Sequence, residues 1–201
     1  MTVACGYDAI ADVYLTRYGT SAVRDRWLRR LLELLPPRAR VLDLGCGAGL
    51  PVAKELSAHG VAVVGVDRSG RQIELARRAV PKAEFIQGDM TELDFPPASF
   101  DAVTAFYSIT HVPREEHGVL LRQIAIWLKP GGIFLASLGS AHVPCCVELW
   151  LGTQMFFSHH DAATNVQLIE AAGLKIDLME LVEQDNEDAC FLWVVARAPA
   201  A

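Results

Sequence analysis

From about residue 20 onward the chain alternates short apolar runs with amphipathic stretches, and that rhythm limits the fold more than any other feature. "RVLDLG", "VAVVGVD", "AEFIQGD", "FDAVTAFYS" and "IFLASL" have the length and apolar content of buried strands. Among them, "LPVAKELSAHG", "RQIELARRAV" and "EEHGVLLRQIAIWL" carry apolar residues at helical spacing and stop at Gly60, Pro81 and "KPGG". Strands joined by crossover helices run parallel and are covered on both faces. The last two strands, "KIDLMEL" and "CFLWVVARA", are joined by the polar turn "EQDNED", too short for a crossover, so they pair antiparallel. The expectation is a three-layer α/β sandwich, its mostly parallel seven-stranded sheet ending in an antiparallel hairpin. A helix over "DAATNVQLIEAAG" is expected before that hairpin, with Ser158 and Asp161 as a capping box.

A length of 201 residues suits a single domain. No apolar stretch reaches the eighteen or so residues of a membrane span, and "MTVACGYDAI" lacks the basic and apolar regions of a secretory signal, so a cytoplasmic address is expected. The five cysteines, Cys5, Cys46, Cys145, Cys146 and Cys190, are odd in number and are expected to be reduced. The formal charge of −6 disfavours nucleic acid as a partner. The arginines of "RDRWLRRLLELL" read as the solvated face of a helix buried through Val23, Trp27, Leu31 and Leu34.

The stretch "VLDLGCGAGL" sets Gly45, Gly47 and Gly49 where a strand hands over to a helix. Glycines there let a ligand approach closer than a Cβ allows. The third glycine comes one residue too early for the dinucleotide pattern, which weakens a nicotinamide reading, and no Gly-Lys-Ser/Thr follows, which removes a P-loop. Asp67 ends the second strand 24 residues after Asp43, near the offset at which a carboxylate grips a ribose.

Four pieces, "VLDLGCGAGL", "VVGVDRSG", "FIQGDMTELDFPPASFDAVTAFYSITHV" and "LKPGGIFLAS", occur in one order. In them the sequence resembles the Rossmann-like S-adenosylmethionine-dependent methyltransferases, particularly a small-molecule branch including the ubiquinone-biosynthesis C-methyltransferases. The resemblance implies S-adenosylmethionine as cofactor, lying against the bare backbone of Gly45 and Gly47 with Cys46 between them. It implies Asp43 as a negative charge near the ligand's ammonium and sulfonium, and Asp67, followed by Arg68, at the ribose. Asp89 and the backbone of Met90 are implied at the adenine, and the Phe106 carbonyl at the methionine ammonium. One domain over residues 1–201 follows, with a lid helix over 1–20, a cofactor-binding core over 41–138 and a substrate-side insertion over 139–160.

His111 of "SITHV" stands where many relatives carry a histidine, and is the candidate base or acceptor-orienting group. Relatives often have a second histidine just before it, where this chain has Thr110. The flanking segments are expected to choose the acceptor. Tyr7, Tyr14 and Tyr18 sit at helical spacing near the start, and Trp150, Met155, Phe156 and Phe157 lie in the insertion with His159 and His160, one of which faces the crevice from the first turn of a helix. The implied partner is a small, partly hydrophobic or aromatic methyl acceptor. Arg17 is a further candidate for the cofactor's carboxylate. His142, Cys145, Cys146, His159 and His160 lack metal-site spacing, so no metal is expected, and the adjacent cysteines give thin support to arsenic methylation. The alternative function is a cyclisation or rearrangement that keeps the cofactor bound. The oligomeric state is not legible.

Overall fold

A computed structural model describes residues 3–185 and 187–200. In chain order the elements are α1 (Val3–Tyr18), α2 (Ala22–Leu34), β1 (Arg40–Leu44), α3 (Val52–Ala58), β2 (Ala62–Asp67), α4 (Gly70–Ala79), β3 (Glu84–Gln87) and β4 (Phe100–Phe106). A 3-10 turn (Ile109–His111), α5 (Arg114–Trp127), β5 (Leu128–Gly139), β6 (Val143–Trp150), β7 (Thr153–His159), α6 (Ala162–Ala171), β8 (Lys175–Glu183) and β9 (Cys190–Arg197) follow.

Among the described residues seven strands form one sheet in the order β3-β2-β1-β4-β5-β9-β8. β1 to β5 pair in parallel, and β9 runs antiparallel to both β5 and β8. The expected fold class is therefore what the chain adopts. Strands β1, β2 and β3 step outward one way, and β4 and β5 step the other way. The order reverses between β1 and β4, the place where open parallel sheets leave a crevice at their carboxyl ends.

Side chains alternate across these strands. Leu42 and Leu44 of β1, Val103 and Ala105 of β4, and Leu192 and Val194 of β9 meet Leu121, Ile124 and Trp127 of α5 on one face. Val41, Ala102, Trp193 and Val195 meet Trp27 and Leu31 of α2 and Leu56 of α3 on the other. Trp27 lies flat on Trp193, ring centroids 5.3 Å apart, which locks α2 to the sheet.

The insertion over residues 139–160 holds a second antiparallel hairpin, in which β6 pairs with β7 and the chain turns through Leu151 (φ 50) and Gly152 (φ 86). Two expectations are corrected. Ser158 belongs to β7, so it is no helix cap; Asp161 alone caps α6, accepting from the Thr164 amide at 2.8 Å. The basic run on α2 is not wholly solvated either, since Arg24 is only 6% exposed. Of the lid expected over residues 1–20, Met1 and Thr2 lie outside the described residues, as does Asn186 of the β8–β9 turn.

Candidate active site

The crevice between β1 and β4 is built by turns that only some residues can make. Gly45 has φ +76, and its amide and that of Cys46 donate to the Val66 carbonyl at 2.8 and 3.0 Å. A Cβ on Gly45 would lie 2.3 Å from that of Ser108, so β1 and the residues after β4 approach as closely as glycine permits. Gly47 has φ +52, and a Cβ there would meet only the Gln72 amide oxygen, 3.8 Å away. Its side toward the crevice is open. The Cys46 thiol points instead into the core, where it packs against Gly65, so Cys46 offers the crevice only backbone.

Asp67 ends β2 and accepts from the Gly47 amide on one oxygen and the Ser69 amide on the other, both at 2.9 Å. Each carboxylate oxygen keeps a second lone pair for a ligand hydroxyl. Burial pushes the Asp67 carboxyl up, while those two amides pull it down. Beyond β3, Asp89 accepts from the Thr91 amide and hydroxyl, at 3.1 and 2.9 Å, and pairs with Arg68 at 3.2 Å. Met90 is buried beside it. These residues and Phe106 line one hollow.

Asp43 and Thr104 face each other across β1 and β4, and the Thr104 hydroxyl donates to Asp43 Oδ1 at 2.7 Å. Asp43 Oδ2 is buried and has no hydrogen-bond partner among the described residues. Burial pushes this carboxyl up to about 7, against the pull of the Thr104 hydroxyl. Arg24, which sequence reasoning missed, is its counterpart. Its Nε and one Nη are buried and unpartnered, and its guanidinium carbon stands 5.9 Å from the Tyr107 ring centroid. Arg24, Asp43, Gly45, Gly47 and Phe106 line the same small hollow. A buried acid and a buried base, each with unpartnered polar atoms in a shared hollow, are complementary to the two ends of a zwitterion.

A second cavity of about 340 Å³ adjoins the first. Tyr7, Tyr14, Tyr107 and His111 border both. Tyr18, Trp150, Phe157 and His159 continue its wall, with Glu148, Glu187 and Asp188 among its acidic residues. The rings of Tyr14, Tyr18 and Trp150 pack with centroids 5.1 to 5.8 Å apart, joining α1 to the β6–β7 hairpin. The Tyr107 backbone is held at φ 56, an uncommon conformation for a bulky residue, and its amide donates to the Ser137 hydroxyl at 2.7 Å.

His111 sits in the 3-10 turn after β4. Its Nδ1 lies 2.8 Å from the Phe156 carbonyl and its Nε2 2.9 Å from the Tyr7 hydroxyl. Burial lowers its pKa to about 4, so the ring is neutral at ordinary pH. His159 borders this second cavity from the end of β7 rather than from a helix, with Nδ1 2.7 Å from the Ala141 carbonyl. Met155 is a correction: it is fully buried beneath Gly6 of α1 and lies outside the wall of that cavity. Arg17 is exposed and lines none of these hollows, whereas Arg24 lines two of them.

A mostly parallel sheet reversing between β1 and β4, with an acidic residue ending β2 and two unpartnered buried charged groups by the glycine turn, is a Rossmann-like α/β fold. A family model described as "Methyltransferase domain" matches residues 41–132. The chain is 31% identical over 150 residues to an uncharacterized methyltransferase of Synechocystis, covering 75% of this chain and 67% of that protein. It belongs to this methyltransferase family.

It is also 36% identical over 149 residues to the 27-O-demethylrifamycin SV methyltransferase of Amycolatopsis mediterranei, covering 63% of this chain and 54% of that protein. The chain thus spans about half the length, or less, of the first curated relatives it matches. A solved SAM-dependent methyltransferase from Methanosarcina mazei has the same fold, with a TM-score of 0.74 at 22% identity, covering 86% of this chain and 98% of that one. S-adenosylmethionine is the cofactor of this family, and the residues fit it: the ligand's amino-acid end is a zwitterion, matching the unpartnered Arg24 and Asp43, and Gly47 and Asp67 line one hollow.

Proposed function

We propose that the chain transfers a methyl group from S-adenosylmethionine to a small, partly hydrophobic or aromatic molecule held in the 340 Å³ cavity. The observation that carries this reading is the pair of unpartnered buried groups, Arg24 and Asp43, lining one hollow beside Gly45 and Gly47. Arg24 would take the ligand's carboxylate and Asp43 its ammonium, with the Phe106 carbonyl as a second acceptor. Asp67 would hold the ribose hydroxyls, and Asp89 with Met90 the adenine.

When bound, the sulfonium supplies an already activated methyl group. The protein's share is alignment and exclusion of water, effects that together contribute several kcal/mol or more to lowering a barrier. Tyr7, Tyr14 and Trp150 close the roof, and His111 stands at the junction of the two hollows, where a base or an orienting group is wanted.

Calorimetric titration with S-adenosylmethionine and S-adenosylhomocysteine tests the reading: both should bind, and binding of neither would sink it. Arg24→Met and Asp67→Ala should each weaken S-adenosylhomocysteine at least about tenfold, since a hydrogen bond to a charged group contributes about 1.5–3 kcal/mol. A product lacking the added methyl, with no S-adenosylhomocysteine released, would point instead to the cofactor-retaining cyclase.

A further inference from the structure

The second cavity carries charges that the cofactor does not call on. Glu148 comes from β6, and Glu187 and Asp188 come from the β8–β9 turn, so two separate elements bring three carboxylates to one 340 Å³ space. Among the described residues none of the three belongs to an ion pair. Glu187 is half-buried and accepts from the Tyr18 hydroxyl at 2.8 Å. Its negative charge also reaches the phenols of Tyr7, Tyr14 and Tyr107, which sets it beside the ring cluster rather than out in solvent.

Among the described residues Arg24 is the sole lysine or arginine in the cavity wall, and it also lines the hollow of Asp43 and the glycine turn, where the cofactor's carboxylate takes it up on the reading above. With the cofactor seated, three acids face the acceptor and no lysine or arginine is left to answer them. Much of the remaining wall is aromatic. Trp150 gathers Tyr7, Tyr14, Tyr18 and Phe157, their centroids 5.7 to 6.1 Å from its own. Ring faces attract cations, and carboxylates do so more strongly in a partly desolvated space than in water. Rings alone would suit any apolar body, and acids alone would be content in solvent; joined around one cavity, they fit an apolar body that carries a positive charge.

The place of that charge follows from the lining. Tyr7, Tyr14, Tyr107 and His111 border both the cofactor hollow and this cavity, whereas none of the three acids lines either hollow by the glycine turn. The positive charge is held away from the point where donor and acceptor meet.

We infer that the methyl acceptor is a cation: an aromatic or alicyclic molecule whose protonated or quaternary amine sits against Glu148, Glu187 and Asp188, with the atom to be methylated directed to the junction of the two hollows. The inference rests on the methyl-transfer reading and adds the acceptor's charge. The amine is an anchor and not the nucleophile, because an ammonium has no lone pair with which to attack a sulfonium. An anion of the same shape meets three like charges and is turned away.

The test is calorimetry on the full chain with S-adenosylhomocysteine bound, using three probes of similar shape and different charge: tryptamine, 3-ethylindole and indole-3-propionate. Tryptamine should bind at least about tenfold more tightly than 3-ethylindole, with the propionate weakest, and raising salt from about 50 to about 500 mM should weaken tryptamine alone. The double variant Glu148→Gln/Glu187→Gln should bring tryptamine within about threefold of 3-ethylindole while S-adenosylhomocysteine stays within about threefold of wild type. Glutamine at 187 keeps an acceptor for the Tyr18 hydroxyl, so α1 stays tied. Should the double variant lose S-adenosylhomocysteine, the ranking of the probes by wild type and its salt dependence decide alone.

Equal affinity for the three probes, preference for the anion, no binding of tryptamine, or a preference that survives the double substitution would overturn the cationic class. Each of these, with S-adenosylhomocysteine still bound, leaves the methyl-transfer reading standing. Failure of wild type to bind S-adenosylhomocysteine would instead remove that underlying reading.

Discussion

Asp43 shows how one side chain ties the fold to ligand affinity. It occupies a strand position whose neighbours on both sides, Leu42 and Leu44, are fully buried, and among the described residues its only hydrogen-bond donor is Thr104. With its carboxyl pushed up to about 7, the group is half protonated at neutral pH in the free protein. A ligand ammonium favours the ionised form, so affinity is linked to pH with a definite sign. Raised above the unfolded value, this carboxyl is protonated below about pH 7, and a cationic ligand must displace that proton. S-adenosylhomocysteine should bind up to about tenfold more weakly at pH 6 than at pH 8, and Asp43→Asn should flatten that dependence; calorimetry at the two pH values measures both. Arg24 shows what was legible and overlooked. It stands three and seven residues before Trp27 and Leu31, on the apolar stripe itself, and an arginine placed there is either paired or waiting for an anion.

Elements with strong periodicity were legible from the sequence: β1 to β5, β8 and β9, and the helices between them fall where apolar spacing puts them. The β6–β7 hairpin was not, for two physical reasons. Its outward residues Val147 and Leu149 are apolar and exposed, which erases the alternation that marks a half-buried strand. Its two-residue turn needs positive φ at both positions, and the first is Leu151 rather than the Asn or Asp that announces such a turn. A leucine in the left-handed region costs about 1–2 kcal/mol, so Leu151→Asn should stabilise the hairpin by about 1 kcal/mol. Slower amide exchange confined to β6 and β7, and a small rise in melting temperature, would register that gain. The same obscurity explains why Met155 was expected at the cavity and why His159, which does border it, was expected on a helix. Without the hairpin register there was no way to tell that Met155 turns under α1 while His159 borders the cavity.

At the scale of the molecule, the two layers of helices differ in what they hide. The α5–α6 side buries His117, whose Nε2 lies 3.0 Å from the Val112 carbonyl and whose pKa burial lowers to about 4. Unfolding exposes that ring and lets it take up a proton below its ordinary value of 6.5, so its contribution to stability is complete above pH 6.5 and is lost as pH falls toward 4. Between pH 6.5 and 5 the wild type should lose about 1.5 kcal/mol more than a His117→Gln variant in urea unfolding, the slope approaching about 1.4 kcal/mol per pH unit below pH 6. The hollows lie at the carboxyl ends of the strands, lined from both faces, with α1 beside them. Asp8 near the start of α1 accepts from the Ser69 hydroxyl and the Arg71 amide, at 2.5 and 3.1 Å, while Tyr18 at its end donates to Glu187 at 2.8 Å. Helix α1 is thus tied at two distant points while its Tyr7 and Tyr14 border both hollows. On the proposed reading of the two hollows, freeing α1 would uncover donor and acceptor together.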